Sequence, residues 1–442
     1  EGPSVQIGAG LASVIGRWVG LPAARVKELL PIGAAGALSA AFNTPVSAVI
    51  FALEEIIGDL NAALLGSTVV ASVAAVIVER ALLGNEPLFR VPTYELVHPF
   101  ELLAYAGLGV VGGVVSLLFC KTLLRARRLF RELPPWSIVL QPALGGLIVG
   151  VILVFVPEVR GVGYEFVDQA LNGGLVLRTL MVLGLVKLVA TIVSYASGNA
   201  GGIFAPSLFI GAMTGGAVGT IVHAFAPFST ADPGAYALVG MGALFAGIIR
   251  APMTSVFMIF EITQDYQILV PLMVANLLSF TISRQLQPVS VYHALLEQDG
   301  IHLPTFQPSD RGRQARDLMR LPGPFVADTA TVREADALAD REGASLLLVG
   351  STTAIGGIVR RRRLADALAA GLADLSIATL VEPEFVHVHP DHAVDVVLDR
   401  LAESGGRLPV VRRDNVRHVV GVITMDSLTR SDSPPPSDVA AV

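Results

Sequence analysis

The chain has 442 residues, 53% hydrophobic and 15% charged, with a net charge of −6 and a mean hydropathy of +0.65. This composition lies outside that of ordinary soluble domains and indicates a membrane protein, and the acidic balance gives no footprint for a nucleic-acid partner. Cys120 is the only cysteine, which excludes an intrachain disulfide.

Charge is unevenly spread: 33 charged side chains fall in residues 1–300 and 35 in residues 301–442. An apolar region is therefore followed by one of normal charge density, large enough for its own core. In chain order, the uncharged stretches are Gly33–Leu53, Leu60–Val78, Leu102–Cys120, Leu133–Pro157, Leu188–Ala231 and Tyr266–Ser283. Each meets or approaches the roughly 20 residues that a bilayer-spanning helix needs. The opening run, Gly234–Ile249 and Ala251–Phe260 are shorter and interrupted by Gly and Pro, as are the half-helices at transporter binding sites. RARRLFREL at 125–133 places four Arg after a long apolar helix, which puts that end in the cytoplasm. The C-terminal region is expected on the same side.

The apolar region contains a repeat. PSVQIGA, from Pro3, matches PSLFIGA, from Pro206, and PVSAVIFALEEI (45–56) matches PMTSVFMIFEIT (252–263), with Glu54 opposite Glu261. GALSAAFNTP and GALFAGIIRAP precede the second pair. Two blocks in one order at similar spacing predict a duplicated unit, of the kind that holds a transport site between its halves. Each block puts Gly and Pro at the start of an apolar helix. There the free N–H groups and the positive end of the helix dipole favour an anion without a full positive charge. A permeating ion must also leave, so a site of this strength suits it.

These motifs resemble the CLC family of chloride channels and chloride/proton exchangers. EGPSVQIG is similar to the latter part of that family's G-[KR]-E-G-P segment, AAFNTPVSAVIFALEE to the stretch after it, GGIFAPSLFIGA to its G-x-F-x-P segment, and VSVYHALLE to its tyrosine-bearing last helix. The resemblance covers about residues 1–300. It implies an α-helical membrane protein with the CLC-type inverted-repeat fold of broken, tilted helices. It also implies that the family's first anion-binding segment, G-S-G-I-P, belongs upstream of Glu1, so that the chain starts immediately before the gating glutamate.

By the same resemblance, Glu1 is the external gating glutamate, at a helix N-terminus formed with Gly2 and Pro3. The anion site is Gly202, Ile203, Phe204, Ala205 and Pro206, with backbone donors at Ile203 and Phe204 and a hydroxyl donor from Tyr292. Taken singly, an N-terminal acid, a packing turn and an interfacial tyrosine are all ordinary features. Glu54 and Glu55 close an uncharged run, and a carboxylate at a membrane-helix centre costs roughly 2.5–3.5 kcal/mol on insertion scales. The family's exchangers carry an internal proton-accepting glutamate at the second position, which here is Glu55, with a membrane-boundary acid as the alternative reading. Glu54 reads as a packing or helix-end acid.

Residues 310–372 and 373–430 each read as strand, helix, apolar strand and Gly-led strand into a helix. They resemble a tandem CBS-domain pair, an α/β unit, with residues 431–442 as a Pro/Ser-rich disordered tail. CBS grooves in some relatives bind adenine nucleotides, and Thr424 and Asp426 are the candidates here. The fit is weak, because the Asp comes one residue early and the first module has Arg360 and Arg363 at the corresponding places. The run Arg360–Arg363 reads as a solvated face rather than a phosphate or lipid site. His387, His389 and His392 read as surface rather than metal ligands, and no cofactor is required.

The leading expectation is a multi-pass cell-membrane protein exchanging chloride for protons, a homodimer in the bilayer with its CBS pair in the cytoplasm. The rivals are a passive voltage- or pH-gated chloride channel, and a nucleotide-sensing CBS module on a membrane anchor. No nucleophile–base pair, phosphate loop or metal constellation argues for an enzyme. The apolar faces Val189–Ser194 and Leu238–Phe260 are candidates for the dimer interface.

Overall fold

The computed structural model describes residues 2–58, 62–84, 89, 91–92, 94, 97–264, 266–299, 313–404, 406–424 and 427. The chain divides into two compact units, Glu1–Ile301 and His302–Val442. The first is helical. It runs through α1 (Gly2–Trp18), α2 (Ala23–Phe42), α3 (Pro45–Phe51) with a π-helical turn at Ala52–Ile57, and α4 (Ala62–Leu83). After α4 come α5 (Glu101–Arg131), α6 (Gln141–Phe155), α7 (Tyr164–Leu171) and α8 (Leu177–Ala196). The unit ends with α9 (Phe204–Phe225), α10 (Pro233–Ile249), α11 (Pro252–Thr263), α12 (Leu269–Leu286) and α13 (Val291–Gln298).

Among the described residues, five helices are long and apolar enough to cross a membrane: Leu64–Leu83, Glu101–Arg131, Leu177–Ala196, Phe204–Phe225 and Leu269–Gln298. Two of the uncharged stretches read as long enough to span are broken into separate helices, each new helix starting with Pro in its first turn. Gly33–Leu53 breaks at Asn43–Thr44 between α2 and α3, and Leu188–Ala231 breaks at Ser197–Ile203 between α8 and α9.

The duplication is visible in the packing. A Cβ on Gly8 of α1 would stand 2.4 Å from the Gly33 carbonyl oxygen of α2, and one on Gly211 of α9 would stand 2.5 Å from that of Gly240 in α10. The four glycines are equivalent in the two copies, and each pair lets two backbones touch at one helix crossing. The copies then end alike. Asn43 and Arg250 both adopt left-handed backbone, at φ of 55° and 74°, each followed by an extended residue and the Pro that starts the next helix.

The centre of the unit is α10, whose residues from Gly234 to Ile249 are all buried. This removes Leu238–Ile249 from the candidate interface, its apolar character being consumed inside the unit against α9, α12 and α5, whereas on α11 Met253 is exposed and Pro252, Val256, Phe257 and Phe260 are half-buried. Of Val189–Ser194, only Val189 is exposed.

In the second unit, β1 (Phe325–Val326), β2 (Leu346–Ser351) and β3 (Ala354–Arg360) form one sheet, with β1 parallel and β3 antiparallel to β2. A second sheet pairs β4 (Arg407–Val411) with β5 (Val419–Thr424) in antiparallel fashion. After a short α14 (Ala315–Leu318), the helices α15 (Val332–Arg341) and α16 (Arg361–Ala369) pack with the first sheet, and α17 (Val394–Glu403) with the second. Thr331 and Glu334 close α15 with a reciprocal capping box.

Candidate functional site

The N-termini of α1 and α9 meet. A Cβ on Gly202 would lie 3.2 Å from the Gly2 nitrogen, and one on Gly2 would lie 3.3 Å from the Gly202 Cα. A Cβ at either position would be tighter than ordinary contact, so glycine eases this approach of backbone to backbone. Two first turns, each with free N–H groups and the positive end of a helix dipole, are thus brought to one point. Pro3 and Pro206 sit in those first turns, where a missing N–H is not needed.

Ile203, Phe204 and Ala205 are buried. The Phe204 ring is anchored edge-on against Phe51 at 5.2 Å and Phe245 at 4.5 Å, and tilted against Phe42 at 5.8 Å between centroids. The turn is therefore fixed by rings from α2, α3 and α10. Tyr292, in the first turn of α13, packs against the same core. It lies within electrostatic reach of Glu55 and of Tyr195 at the end of α8. Glu1 lies outside the described residues.

The adjacent carboxylates have different surroundings. Glu54 accepts from the backbone N–H of Met253 (3.1 Å) and Thr254 (2.8 Å), and from the Thr254 hydroxyl (2.7 Å). It caps the N-terminus of α11 from the other copy. Glu261 does the reverse, accepting from the N–H of Val46 (2.8 Å) and Ser47 (2.7 Å) at the start of α3. The two copies thus hold each other by exchanged caps. Glu55 is half-buried in the π-helical turn, near Glu54 and Arg250. Arg250 in turn donates to the carbonyls of Gly247, Ser283 and Gln287.

Two further charged groups escaped sequence reasoning. Glu101 is fully buried and accepts from Ala231 N–H (2.7 Å), the Tyr236 hydroxyl (2.9 Å) and Val97 N–H (3.2 Å). Lys187 is buried in α8, and its ammonium donates to the carbonyls of Val159 and Gly161. The signal for Lys187 was its position, an ammonium in the middle of an apolar span.

In the second unit, Thr424 lines a cavity of about 460 Å³ together with Arg320, Glu342, Ser345 and Arg407. Its N–H is taken by the Ser427 hydroxyl at 2.7 Å. Asp426 and residues 431–442 lie outside the described residues. The arginine run is largely paired: Arg360 and Arg363 meet Glu382, and Arg361 meets Asp340. The rings of His387, His389 and His392 touch in series, with centroids 5.4 and 5.0 Å apart. Nδ1 of His387 and of His389 each faces a backbone carbonyl. Withdrawal from water, with His389 and Arg400 close by, holds His392 below the ordinary imidazole range. No group of three metal-ligating side chains occurs among the described residues.

Residues 1–284 match the family model described as voltage gated chloride channel. The chain belongs to that family. Residues 377–433 match the CBS domain model. Among curated members, a ClcB-like chloride channel protein of Ralstonia nicotianae is 37% identical over 312 residues, covering 69% of this chain and 72% of its own length. The H(+)/Cl(-) exchange transporter ClcA of Vibrio campbellii is 33% identical over 310 residues, and this chain spans 65% of its length. Among solved members, a slow cyanobacterial Cl−/H+ antiporter superposes with a TM-score of 0.62 at 28% identity, over 67% of this chain and 71% of its own. A eukaryotic CLC transporter shares the fold, with a TM-score of 0.61 at 20% identity over 95% of this chain and 75% of its own.

Proposed function

We propose that the protein exchanges chloride for protons across the cell membrane. The observation that carries this reading is the meeting of the α1 and α9 N-termini at Gly2 and Gly202. An anion at that point is held by the backbone N–H groups of Ile203 and Phe204 in the Gly202–Pro206 turn and by the Tyr292 hydroxyl, strongly enough to bind and weakly enough to leave. Glu1, beside Gly2 and Pro3, competes for the same place as a carboxylate and vacates it when protonated. Glu55 carries the proton on the inner side. Its neighbour is committed to α11, so Glu55 is the carboxylate of the pair that can exchange a proton without releasing a helix end.

In this reading residues 1–300 form the transport domain, and residues 301–430 are a cytoplasmic CBS pair with modules at 310–372 and 373–430. The protein works in the lipid bilayer as a homodimer with a pathway in each subunit. The test is the reversal potential of the chain in liposomes under crossed chloride and pH gradients. Coupled exchange moves the potential with the proton gradient, whereas a passive channel follows chloride alone. Absence of chloride-dependent current or flux refutes both.

A further inference from the structure

Lys187 lies on the stripe of α8 that packs into the unit, with Leu180, Leu183, Gly184 and Thr191. An ammonium on such a stripe opposes the hydrophobic packing that buries it, so its retention calls for a task. Its ammonium is held at 2.9 and 2.5 Å by the carbonyls of Val159 and Gly161, and stands 4.9 Å from the centre of the Phe209 ring. The charge is therefore held in place from two sides, by the loop before α7 and by α9.

Lys187 is also part of the wall of a cavity of about 210 Å³. That volume far exceeds the roughly 10–15 Å³ that one water needs. Ser194, Arg160, Gly201 and Gly202 line the same cavity. The fixed ammonium and the glycine turn therefore share one space. Hydroxyl and backbone groups complete its polar lining, and its walls in α6 are apolar. A positive charge beside a low-dielectric space acts over longer distances than it would in water.

We propose that Lys187 is a specificity-determining residue of the anion path, its fixed ammonium drawing a small inorganic anion into this cavity and on to the Gly201–Gly202 turn. The inference rests on the reading of Gly202–Pro206 as an anion site. It adds that anion affinity is set in part by a full charge on α8, besides the helix dipoles. An elementary charge roughly 10 Å from an ion, at an effective dielectric of about 20, changes affinity by about tenfold.

The test is chloride binding to the full chain in detergent by calorimetry, with thermal melting alongside. We expect K187M to weaken chloride by about tenfold or more, and K187R to stay within about threefold of wild type. A K187C variant treated with a reagent that adds an aminoethyl group should regain affinity, and one given a neutral methyl group should not. A role limited to tying down the 159–161 loop would also be restored by the aminoethyl adduct, so the decisive variant is S194D, which leaves that tie intact. Should the Lys187 variants fail to fold, S194D places a carboxylate on the same wall with Lys187 intact and should weaken chloride similarly, with S194N as the neutral control. Wild-type affinity in a folded K187M or S194D overturns the inference while leaving the proposed function standing. A wild-type chain that binds no chloride overturns both.

Discussion

The segments 45–58 and 252–264 are two copies of one piece of chain, and they differ in length by one residue. Both begin at a Pro after a left-handed residue, and both place a glutamate nine positions later. The second copy stays α-helical and reaches its left-handed cap at Gln264, twelve residues after Pro252. The first passes through a π-helical turn and reaches its cap at Gly58, thirteen after Pro45. Within that turn Glu55 stands where the second copy has the buried apolar Ile262. A single extra residue in a helix is accommodated as a π-turn, a form that recurs at functional sites. What the copies share, Glu54 and Glu261, holds the architecture together; what they do not share introduces the spare carboxylate.

The largest effect is expected when Glu55 alone loses its ionisable group. E55Q keeps the shape and removes the ionisable group, so proton movement coupled to chloride should fall by about 100-fold, the lower end of what a positioned acid–base group contributes. Chloride flux should continue. Vesicle pH and chloride electrodes read both in one experiment. If E55Q still moves protons and E54Q does not, the assignment of roles within the pair is reversed.

Next in size is the exchange of caps. E54A leaves the Met253 and Thr254 donors of α11 without their acceptor, and E261A does the same to Val46 and Ser47 of α3. Each should cost about 2 kcal/mol, as expected for charge-assisted caps. The two contacts belong to one interface between the copies, so the double variant should cost less than the sum of the singles. Denaturant unfolding in detergent tests both statements. Strict additivity would mean that the two caps act independently.

This division of labour was only half legible in the sequence. The alignment of Glu54 with Glu261 and the helix-starting prolines follow from local pattern, because proline, glycine and the period of an apolar helix act over a few residues. The caps do not. The donors to Glu54 lie about 200 residues away, and nothing near Glu54 in the chain marks it as bound and Glu55 as spare. The same limit explains Leu238–Ile249. An uncharged apolar run looks alike whether it faces lipid, a second subunit or its own core, and α10 faces its own core. Glu101 was invisible for the reason that applies to Glu54, since two of its three donors come from Ala231 and Tyr236. The meeting of the α1 and α9 N-termini was legible because Gly and Pro mark both helix starts in the sequence.

The smallest predicted effect separates the two left-handed residues that end α2 and α10. An L-residue in that conformation costs about 1–2 kcal/mol, less for Asn, so glycine at either site relieves strain. At Asn43 the loss is one exposed hydrogen bond, from the Arg80 guanidinium at 2.9 Å. Gain and loss nearly offset, and N43G should change stability by no more than about 0.5 kcal/mol. At Arg250 the same substitution removes a half-buried guanidinium that donates to Gly247 within α10 and to Ser283 and Gln287 at the end of α12. Those bonds outweigh the relief, so R250G should be destabilised by about 1–2 kcal/mol net. Melting of the two variants side by side decides the matter. If R250G is as stable as N43G, the arginine is retained for something other than tying α10 to α12, and its nearness to Glu55 becomes the first place to look.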